Sequence, residues 1–281
     1  MSFVISRYNH TVAVMPTMHD KGRLIAPAFK EILEIKIEEV GVDTDALGTF
    51  SGEVQRVGTP LETAIKKARL GIDATGIPYA VASEGSVGPD PLVPFINANV
   101  ETMVFIDDEL GIKVNVTHKS NDILAFTTDT TKVDLQKLLT KFDFPNHAVI
   151  VKPKIGTGAI KGIKNLLDLE KAIAQSRAAS IDGEATIESD LRAMSSPSRQ
   201  RNISAAGLKL AQRLAQTCPE CSIPGWGLTD YLKGVECSEC GEISHEAMRQ
   251  EVLGCVGCEF TALGIVINLT LDPSRCMSCN P

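Results

Sequence analysis

The residues with the clearest chemical signature are eight cysteines, all of which follow residue 217. Two thiolates separated by two residues can bind one zinc ion from a tight turn, and two such pairs complete a tetrahedral four-thiolate site. The spacing therefore predicts two zinc ions. Because four thiolates leave no position open for water, both ions are expected to be structural rather than catalytic. The four pairs are Cys218/Cys221, Cys237/Cys240, Cys255/Cys258 and Cys276/Cys279.

Other uses of paired cysteines fit this chain less well. Disulfide bonds need an oxidising compartment, but the first residues lack the basic and then apolar pattern of a secretory signal. A redox Cys-x-x-Cys usually occurs once, and iron–sulfur ligands usually form denser runs. We therefore expect a reduced, cytoplasmic chain. No apolar run reaches the ~20 residues of a membrane span, so a membrane is not an expected partner.

The spacing of the pairs leaves their partners open, because sequential, nested and crossed arrangements all give two sites. The segment from Cys237 to Cys258 resembles a single zinc ribbon. This favours the nested arrangement, in which Cys218/Cys221 share an ion with Cys276/Cys279.

The charge of this C-terminal segment indicates which partners it does not suit. The whole chain has a formal net charge of −7, and residues 218–281 carry three basic side chains against nine acidic ones. Zinc ribbons that bind nucleic acid use Lys and Arg to neutralise phosphates. Nucleic acid is therefore not an expected partner of this segment.

A second group of chemically suggestive residues follows predicted strands in the first half of the chain, where α/β sheets place ligands. A lysine and the N–H groups at a helix start suit a phosphate. Carboxylates that converge from two elements suit Mg²⁺. We expect Glu62 and Glu84 to bind the metal, and a phosphate to be held by Thr17, His19, Lys21 and Lys66 or Lys67.

Each of these residues also has a purely structural interpretation. Residues 59–62 (Thr-Pro-Leu-Glu) form a capping box, in which Glu62 would bond back to the chain rather than bind a metal. Lys66 and Lys67 could belong to a solvated helix face, and Lys21 could be a solvated helix start. His19 fits a helix cap as well as a ligand contact.

A third group lies beside the longest predicted helix. Asp190 is a candidate metal ligand or base, and Arg192 and Arg199 are candidate phosphate ligands, since a guanidinium suits bidentate contact. The alternative is an ion-pair set of the same residues that fixes the helix against the sheet.

The elements that must position these residues alternate between strands and helices, which predicts an α/β fold. An apparent hairpin at residues 101–117 makes the sheet mixed. Predicted strands cover 10–17, 35–40, 79–82, 101–107, 112–117, 123–128, 147–152 and 185–188, and predicted helices cover 21–33, 59–76, 131–142, 165–179 and 196–216. The expected organisation is a three-layer α/β domain (1–195), a connecting helix (196–217) and a zinc-ribbon-like module with two zinc knuckles (218–281).

Part of the N-terminal half resembles the inosine triphosphate pyrophosphatase fold and its Maf-like relatives. The similar segments are residues 17–21 (Thr-Met-His-Asp-Lys), 62–68 (Glu-Thr-Ala-Ile-Lys-Lys-Ala), 83–85 (Ser-Glu-Gly) and 51–55 (Ser-Gly-Glu-Val-Gln). The resemblance implies a nucleotide ligand and hydrolysis of a phosphoanhydride with Mg²⁺.

The whole chain is also identified as a member of an uncharacterised bacterial domain-of-unknown-function family. The segments that carry this resemblance are 19–21, 42–45, 48–53, 82–89, 144–147, 188–193, 197–199 and 276–281. It implies an architecture and no activity.

The leading functional hypothesis is a protein that binds a phosphate-bearing small molecule or nucleotide and, if it is an enzyme, hydrolyses it with Mg²⁺. The alternative is a non-enzymatic protein that docks a partner, or a second copy of itself, through the zinc module. Trp226 and the apolar residues 263–271 would supply that surface, or else form the core of the module.

Overall fold

The computed structural model of the chain describes residues 6–48, 57–90 and 93–281. It contains two compact units. The first comprises Met1–Gly111 and Asn115–Leu210, and the second comprises Ile112–Val114 and Ala211–Pro281. The mixed α/β class and the cysteine-rich module predicted from the sequence are both confirmed. Among the described residues, no helix combines the length and the apolar character needed to cross a bilayer.

The first sheet has five strands in the order β2-β1-β3-β4-β5. Strands β2 and β3 run parallel to β1, whereas β4 runs antiparallel to β3, so the sheet is mixed as predicted. The strands are β1 (Val12–Pro16), β2 (Lys36–Val40), β3 (Tyr79–Pro89), β4 (Asn97–Asp107) and β5 (Ile112–Ser120).

Helices α1 (Gly22–Leu33) and α2 (Pro60–Thr75) cover opposite faces of this sheet. Successive strand residues point to opposite faces. Val104 and the other residues on its face of the sheet pack against Ala64 and Ala68 of α2. The adjacent Phe105 stacks on Phe29 of α1 with ring centroids 6.5 Å apart. The result is the predicted helix–sheet–helix layering.

A second sheet lies later in the first unit, in the order β6-β9-β7-β8. Its strands are β6 (Thr127–Asp129), β7 (Val149–Pro153), β8 (Ile160–Ile163) and β9 (Ala185–Ser189). Helices α3 (Leu135–Lys141) and α4 (Leu166–Ala179) cover one face. The core on that face includes Val149, Val151 and Ile187 with Leu139 and Leu169. The alternate residues of β7 and β9 therefore point to the other face.

The strand predictions were wrong in three places. Ser83–Ser86 are not a loop after a short strand, because β3 continues to Pro89 and pairs residue by residue with β4. Residues 123–126 lie outside any strand, and β6 is only three residues long. Strand β8 was missed because Lys161 and Gly162 interrupt its apolar pattern. In each case the pairing partner, which local sequence does not reveal, decides the outcome.

The last helix, α5 (Pro197–Leu214), is followed by a three-stranded antiparallel sheet in the order β10-β11-β12. These strands are β10 (Gly227–Glu236), β11 (Ile243–Gly254) and β12 (Thr261–Val266). Pairing along the first hairpin runs from Gly227 opposite Gly254 to Glu236 opposite Ile243. The two ends of the hairpin are therefore separated by about 30 Å at ~3.3 Å per residue.

Candidate functional site

The eight cysteines form two tetrads, and within each tetrad the four sulfur atoms lie within 4.8 Å of one another. The Sγ–Sγ distances include 3.8 Å for Cys218 to Cys258 and 3.6 Å for Cys240 to Cys276. Four thiolates about 2.3 Å from a tetrahedral zinc ion require roughly this spacing. The donor set and its geometry therefore fit two structural zinc ions, as predicted. The tetrads are Cys218, Cys221, Cys255 and Cys258, and Cys237, Cys240, Cys276 and Cys279.

The nested pairing favoured by the sequence was wrong, because the arrangement is crossed. The reason is the β10–β11 hairpin. The knuckle before β10 and the knuckle after β11 lie at the same end, where Gly227 pairs with Gly254. The knuckle between the two strands lies at the far end, where the last knuckle joins it. Leu271 pairs with Cys237 there and brings the terminal segment back.

The local backbone favours the thiolate form of Cys237. The backbone N–H groups of Cys240 and Glu239 donate to the Cys237 sulfur and lower the pKa of this thiol to about 7. A thiolate is the form that binds zinc. The tight turn of Cys-x-x-Cys thus supplies both the spacing and part of the charge stabilisation.

Most of the residues predicted to bind phosphate, but not Arg192, line one buried cavity, which we call the Lys21 cavity. It lies at the carboxyl end of β1. From this point α1 leads to β2 on one side of β1, and α2 later leads to β3 on the other side. Such a switch point is the usual ligand position of an open α/β sheet. The cavity volume is about 20 Å³, which holds one water-sized group. Its lining includes Thr17, His19, Lys21, Lys67, Glu84 and Arg199.

Two buried ion pairs contribute Lys67, Glu84 and Arg199 to the walls of the Lys21 cavity. Lys67 Nζ of α2 donates to Glu84 Oε2 at 2.7 Å, on the face of β3 that α2 covers. Arg199 Nε donates to Glu101 Oε1 at 2.8 Å, and these side chains are only 2% and 0% exposed. Both pairs are held by regular elements, so the charges are fixed in place.

The first turn of α5 is capped in a way that positions Arg199. The Arg199 backbone N–H donates to Ser196 Oγ at 3.4 Å, so Ser196 caps the helix. The preceding N–H, that of Ser198, donates to His147 Nε2 at 3.1 Å. Arg199 Nη1 also donates to the Leu191 carbonyl at 2.7 Å. The guanidinium is therefore anchored from both the helix and the preceding loop.

Lys21 is the third cation of the cavity, and its surroundings are different. Its ammonium donates to Ser83 Oγ at 3.1 Å and to the Ser83 carbonyl at 3.4 Å. Across residues 6–48, 57–90 and 93–281, no carboxylate forms an ion pair with it. Burial, followed by repulsion from Arg199, lowers the pKa of Lys21 to about 8. The cationic form of Lys21 is thus poorly compensated.

Sequence reasoning missed Glu101, which is fully buried in β4. Burial opposes its charge, but Arg199 and Lys21 hold the pKa of this carboxyl below its usual value. Gly85 lies opposite it in the strand register, and a Cβ there would sit 2.5 Å from Arg199 Nη2. The available signal was a carboxylate within the predicted strand 101–107, because such a residue is rarely buried without a charged partner.

Glu62 does not reach the Lys21 cavity, so the predicted Glu62–Glu84 metal pair was wrong. Its carboxylate accepts from the Thr59 N–H at 2.7 Å, while Thr59 Oγ1 accepts from the Glu62 N–H at 3.2 Å. These two hydrogen bonds form the capping box that was the structural alternative for residues 59–62. The hydrogen bonds from Thr59 lower the pKa of Glu62, which is exposed to solvent.

Asp190 and Arg192 are also absent from the Lys21 cavity. Arg192 Nη2 donates to Asp190 Oδ2 at 2.6 Å, and the Gly162 N–H donates to the same oxygen at 3.0 Å. Burial opposes the Asp190 charge, but Arg192 keeps the pKa of this carboxyl below its usual value. The ion-pair alternative is therefore correct for Asp190 and Arg192, whereas Arg199 pairs with Glu101 instead.

The surface predicted for the zinc module divides into buried and exposed parts. Trp226 stacks on Phe260 with centroids 5.4 Å apart, and Leu271 belongs to a small core with Val235. Leu263 and Ile265 on β12 are 59% and 72% exposed. Residues 51–55, which resemble the pyrophosphatase fold, lie outside the described residues. So do residues 49–53 of the resemblance to the domain-of-unknown-function family.

Comparison with known proteins gives a family and no activity. A family model described as "Domain of unknown function (DUF6671)" matches residues 67–281, which include the candidate residues from Lys67 onward and both cysteine tetrads. No curated protein and no solved structure is similar enough to count as a match.

Proposed function

We propose that this chain, which belongs to the DUF6671 family, binds a phosphate-bearing small molecule at the Lys21 cavity. One observation carries the proposal. Three buried cations, Lys21, Lys67 and Arg199, meet there with only two buried carboxylates among the described residues. The surplus positive charge is what an anion would neutralise.

The energetics support an anionic ligand rather than a purely structural network. A buried ammonium without a carboxylate partner is costly, and the lowered pKa of Lys21, which has hydrogen bonds to Ser83 but no ion pair among the described residues, reflects that cost. A network that served only stability would gain from replacing Lys21 with an apolar residue. A residue that costs stability in the free protein is typical of a binding site.

The size of the cavity limits how the anion sits. A volume of about 20 Å³ admits one oxygen atom and not a whole phosphate. We infer that one phosphoryl oxygen enters between Lys21 and Arg199, while the rest of the molecule extends outward past Thr17. Lysine and arginine both make short, charge-assisted hydrogen bonds to phosphate oxygens.

Lys21→Met should lower the affinity for inorganic pyrophosphate at least tenfold, the loss expected for one charge-assisted hydrogen bond. The matched control is Lys66→Met, which changes an exposed lysine next to Lys67 and should leave the affinity unchanged. Titration calorimetry on the zinc-loaded full chain measures both. Equal affinities for the wild type and Lys21→Met would contradict the proposal.

The same binding should weaken at high pH. Lys21 in the free protein has a pKa of about 8, so its charged form is complete below that pH and is lost above it. Affinity should therefore be constant at lower pH and should fall roughly tenfold for each unit above it. Sulfate, whose charge does not change in this range, is the second probe. A flat profile for both anions would count against Lys21 as the ligand.

The finer proposal, Mg²⁺-dependent hydrolysis of a nucleotide, has weaker support. Glu62 lies outside the cavity, and Glu84 already accepts from Lys67, so the expected pair of metal ligands is reduced to Glu84 alone. Phosphate release from a panel of nucleoside triphosphates with Mg²⁺ tests it. Rates that are no faster for the wild type than for Glu84→Gln would leave binding as the function.

A second candidate function is self-association through β12, the last strand of the zinc-module sheet. Leu263, Ile265 and Leu269 are 59%, 72% and 84% exposed, and residues 261–271 contain no charged side chain. Two copies could therefore pair along this edge without like charges meeting. We expect light scattering to show a dimer that Ile265→Lys converts to a monomer. A monomeric wild type would exclude this candidate.

A further inference from the structure

A second and larger cavity lies in the first unit, and we call it the Lys152 cleft. Its volume is about 450 Å³, within the range of small-molecule sites, whereas the Lys21 cavity holds only a water-sized group. It lies between Val87 and Asn97 of the first sheet and the helix-free face of the second sheet.

The register of the second sheet explains why this face is polar. Ile150 lies opposite Glu188, and Lys152 lies opposite Thr186, in the antiparallel pairing of β7 with β9. The residues between them point into the core under α3 and α4. The charged side chains of β7 and β9 on the face opposite α3 and α4 therefore point into the cleft. Lys152 and Glu188 both line it.

The charges of the cleft are balanced, in contrast to those of the Lys21 cavity. Lys152 Nζ donates to Glu188 Oε2 at 2.7 Å, with side-chain exposures of 38% and 15%. Arg192 is fixed on Asp190, whose side chain is fully buried. Two cations therefore face two carboxylates, and a ligand with net charge gains no net attraction from them.

The Lys152–Glu188 pair is the part that a ligand can reach. A lysine ammonium has three N–H donors, of which one goes to Glu188. Phe126, Ile150 and Leu191 add apolar walls to the same cleft. The Leu191 backbone is held by Arg199, so this wall is fixed before any ligand arrives. The cleft thus combines one cation, one anion and an apolar surface.

We propose that the Lys152 cleft binds a zwitterionic small molecule of the amino-acid class. Its carboxylate bonds to Lys152, its ammonium bonds to Glu188, and its side chain packs against Phe126 and Leu191. The ligand then replaces the internal ion pair by two ion pairs and leaves the charge balance unchanged. The volume accommodates the larger amino acids.

The test is a calorimetric and thermal-shift panel of the twenty L-amino acids on the zinc-loaded full chain. For the best ligand, the amine that lacks the carboxylate and the acid that lacks the ammonium should each bind at least tenfold more weakly. Failure of every amino acid to bind would overturn the proposal. If the acid without the ammonium bound as tightly as the amino acid, the zwitterionic ligand would be overturned, because a site for an anion would explain the result.

Two variants place the ligand in the cleft. Glu188→Gln, which keeps the side-chain shape, and Lys152→Met should each lower the affinity at least tenfold with the melting temperature retained. The control is Lys154→Met, which removes partly exposed ion pairs with Asp129, Asp182 and Glu184, all outside the cleft lining. Unchanged affinity in Glu188→Gln would overturn the site, even if Lys152→Met did not fold.

Discussion

Replacing Cys218 and Cys255 together with serine will remove one zinc ion per chain, whereas replacing Cys218 and Cys276 together will remove both. The reason is the crossed arrangement, in which Cys218 and Cys255 share one tetrad and Cys276 belongs to the other. A serine hydroxyl is a poor zinc ligand, so each damaged tetrad loses its ion. The nested arrangement predicts the opposite result for the second variant, which would then lose a single ion.

The structural consequence should be large. Zinc binding to four-thiolate sites contributes about 10–16 kcal/mol to folding in small zinc domains, more than the stability of most small domains. The sheet β10–β12 has a small apolar core around Val235 and Leu271, so we expect it to unfold when both ions are lost. Metal analysis counts the ions, and proteolysis of the module reports its folding. A chain without zinc whose module resists proteolysis would contradict the structural role.

Arg199→Met should destabilise the first unit by about 3–5 kcal/mol, because it leaves Glu101 charged and buried without its partner. Asn99 Nδ2 also donates to Glu101 Oε1 at 3.2 Å and Lys21 lowers the pKa of this carboxyl, but neither replaces the direct ion pair, and Glu101 Oε2 has no hydrogen-bond partner in the described part of the chain. Urea unfolding followed by a signal from the first unit measures the effect.

The matched control lies two residues further along the same helix. Arg201 pairs with Asp122 at 2.8 Å, but both side chains are more than half exposed. Solvent screens such a pair, and Arg201→Met should change stability by less than about 1 kcal/mol. Similar losses for the two variants would show that the buried pair has no special role.

The location of the Lys21 cavity was predictable from the sequence, but its chemistry was not. The rule that ligands gather at strand ends identified Thr17 and Lys21 after β1, but it included Glu84 on the wrong assumption that β3 ends there. It could not reveal Glu101, because the register of β3 with β4 places Gly85 opposite this residue and so leaves room for Arg199. Register is a property of paired strands and not of either strand alone.

The zinc module shows the same limit. The Cys-x-x-Cys spacing predicts each knuckle because two thiolates must reach one ion locally. Which knuckles combine depends on the length of the β10–β11 hairpin, which places Cys237 at the far end, about 30 Å from Gly227. The prediction that Glu62 binds a metal was wrong for a related reason. The Glu62 carboxylate instead accepts a local hydrogen bond from the Thr59 N–H.

The pKa of Lys21, with and without an anion, tests the central claim most directly. NMR of a chain with labelled lysine side chains, assigned with the Lys21→Met variant, gives this value. We expect about 8 in the free protein and a clear rise when inorganic pyrophosphate is saturating, because an adjacent anion stabilises the ammonium. A Lys21 pKa that is the same at saturating pyrophosphate as in its absence would contradict an anion site at this cavity.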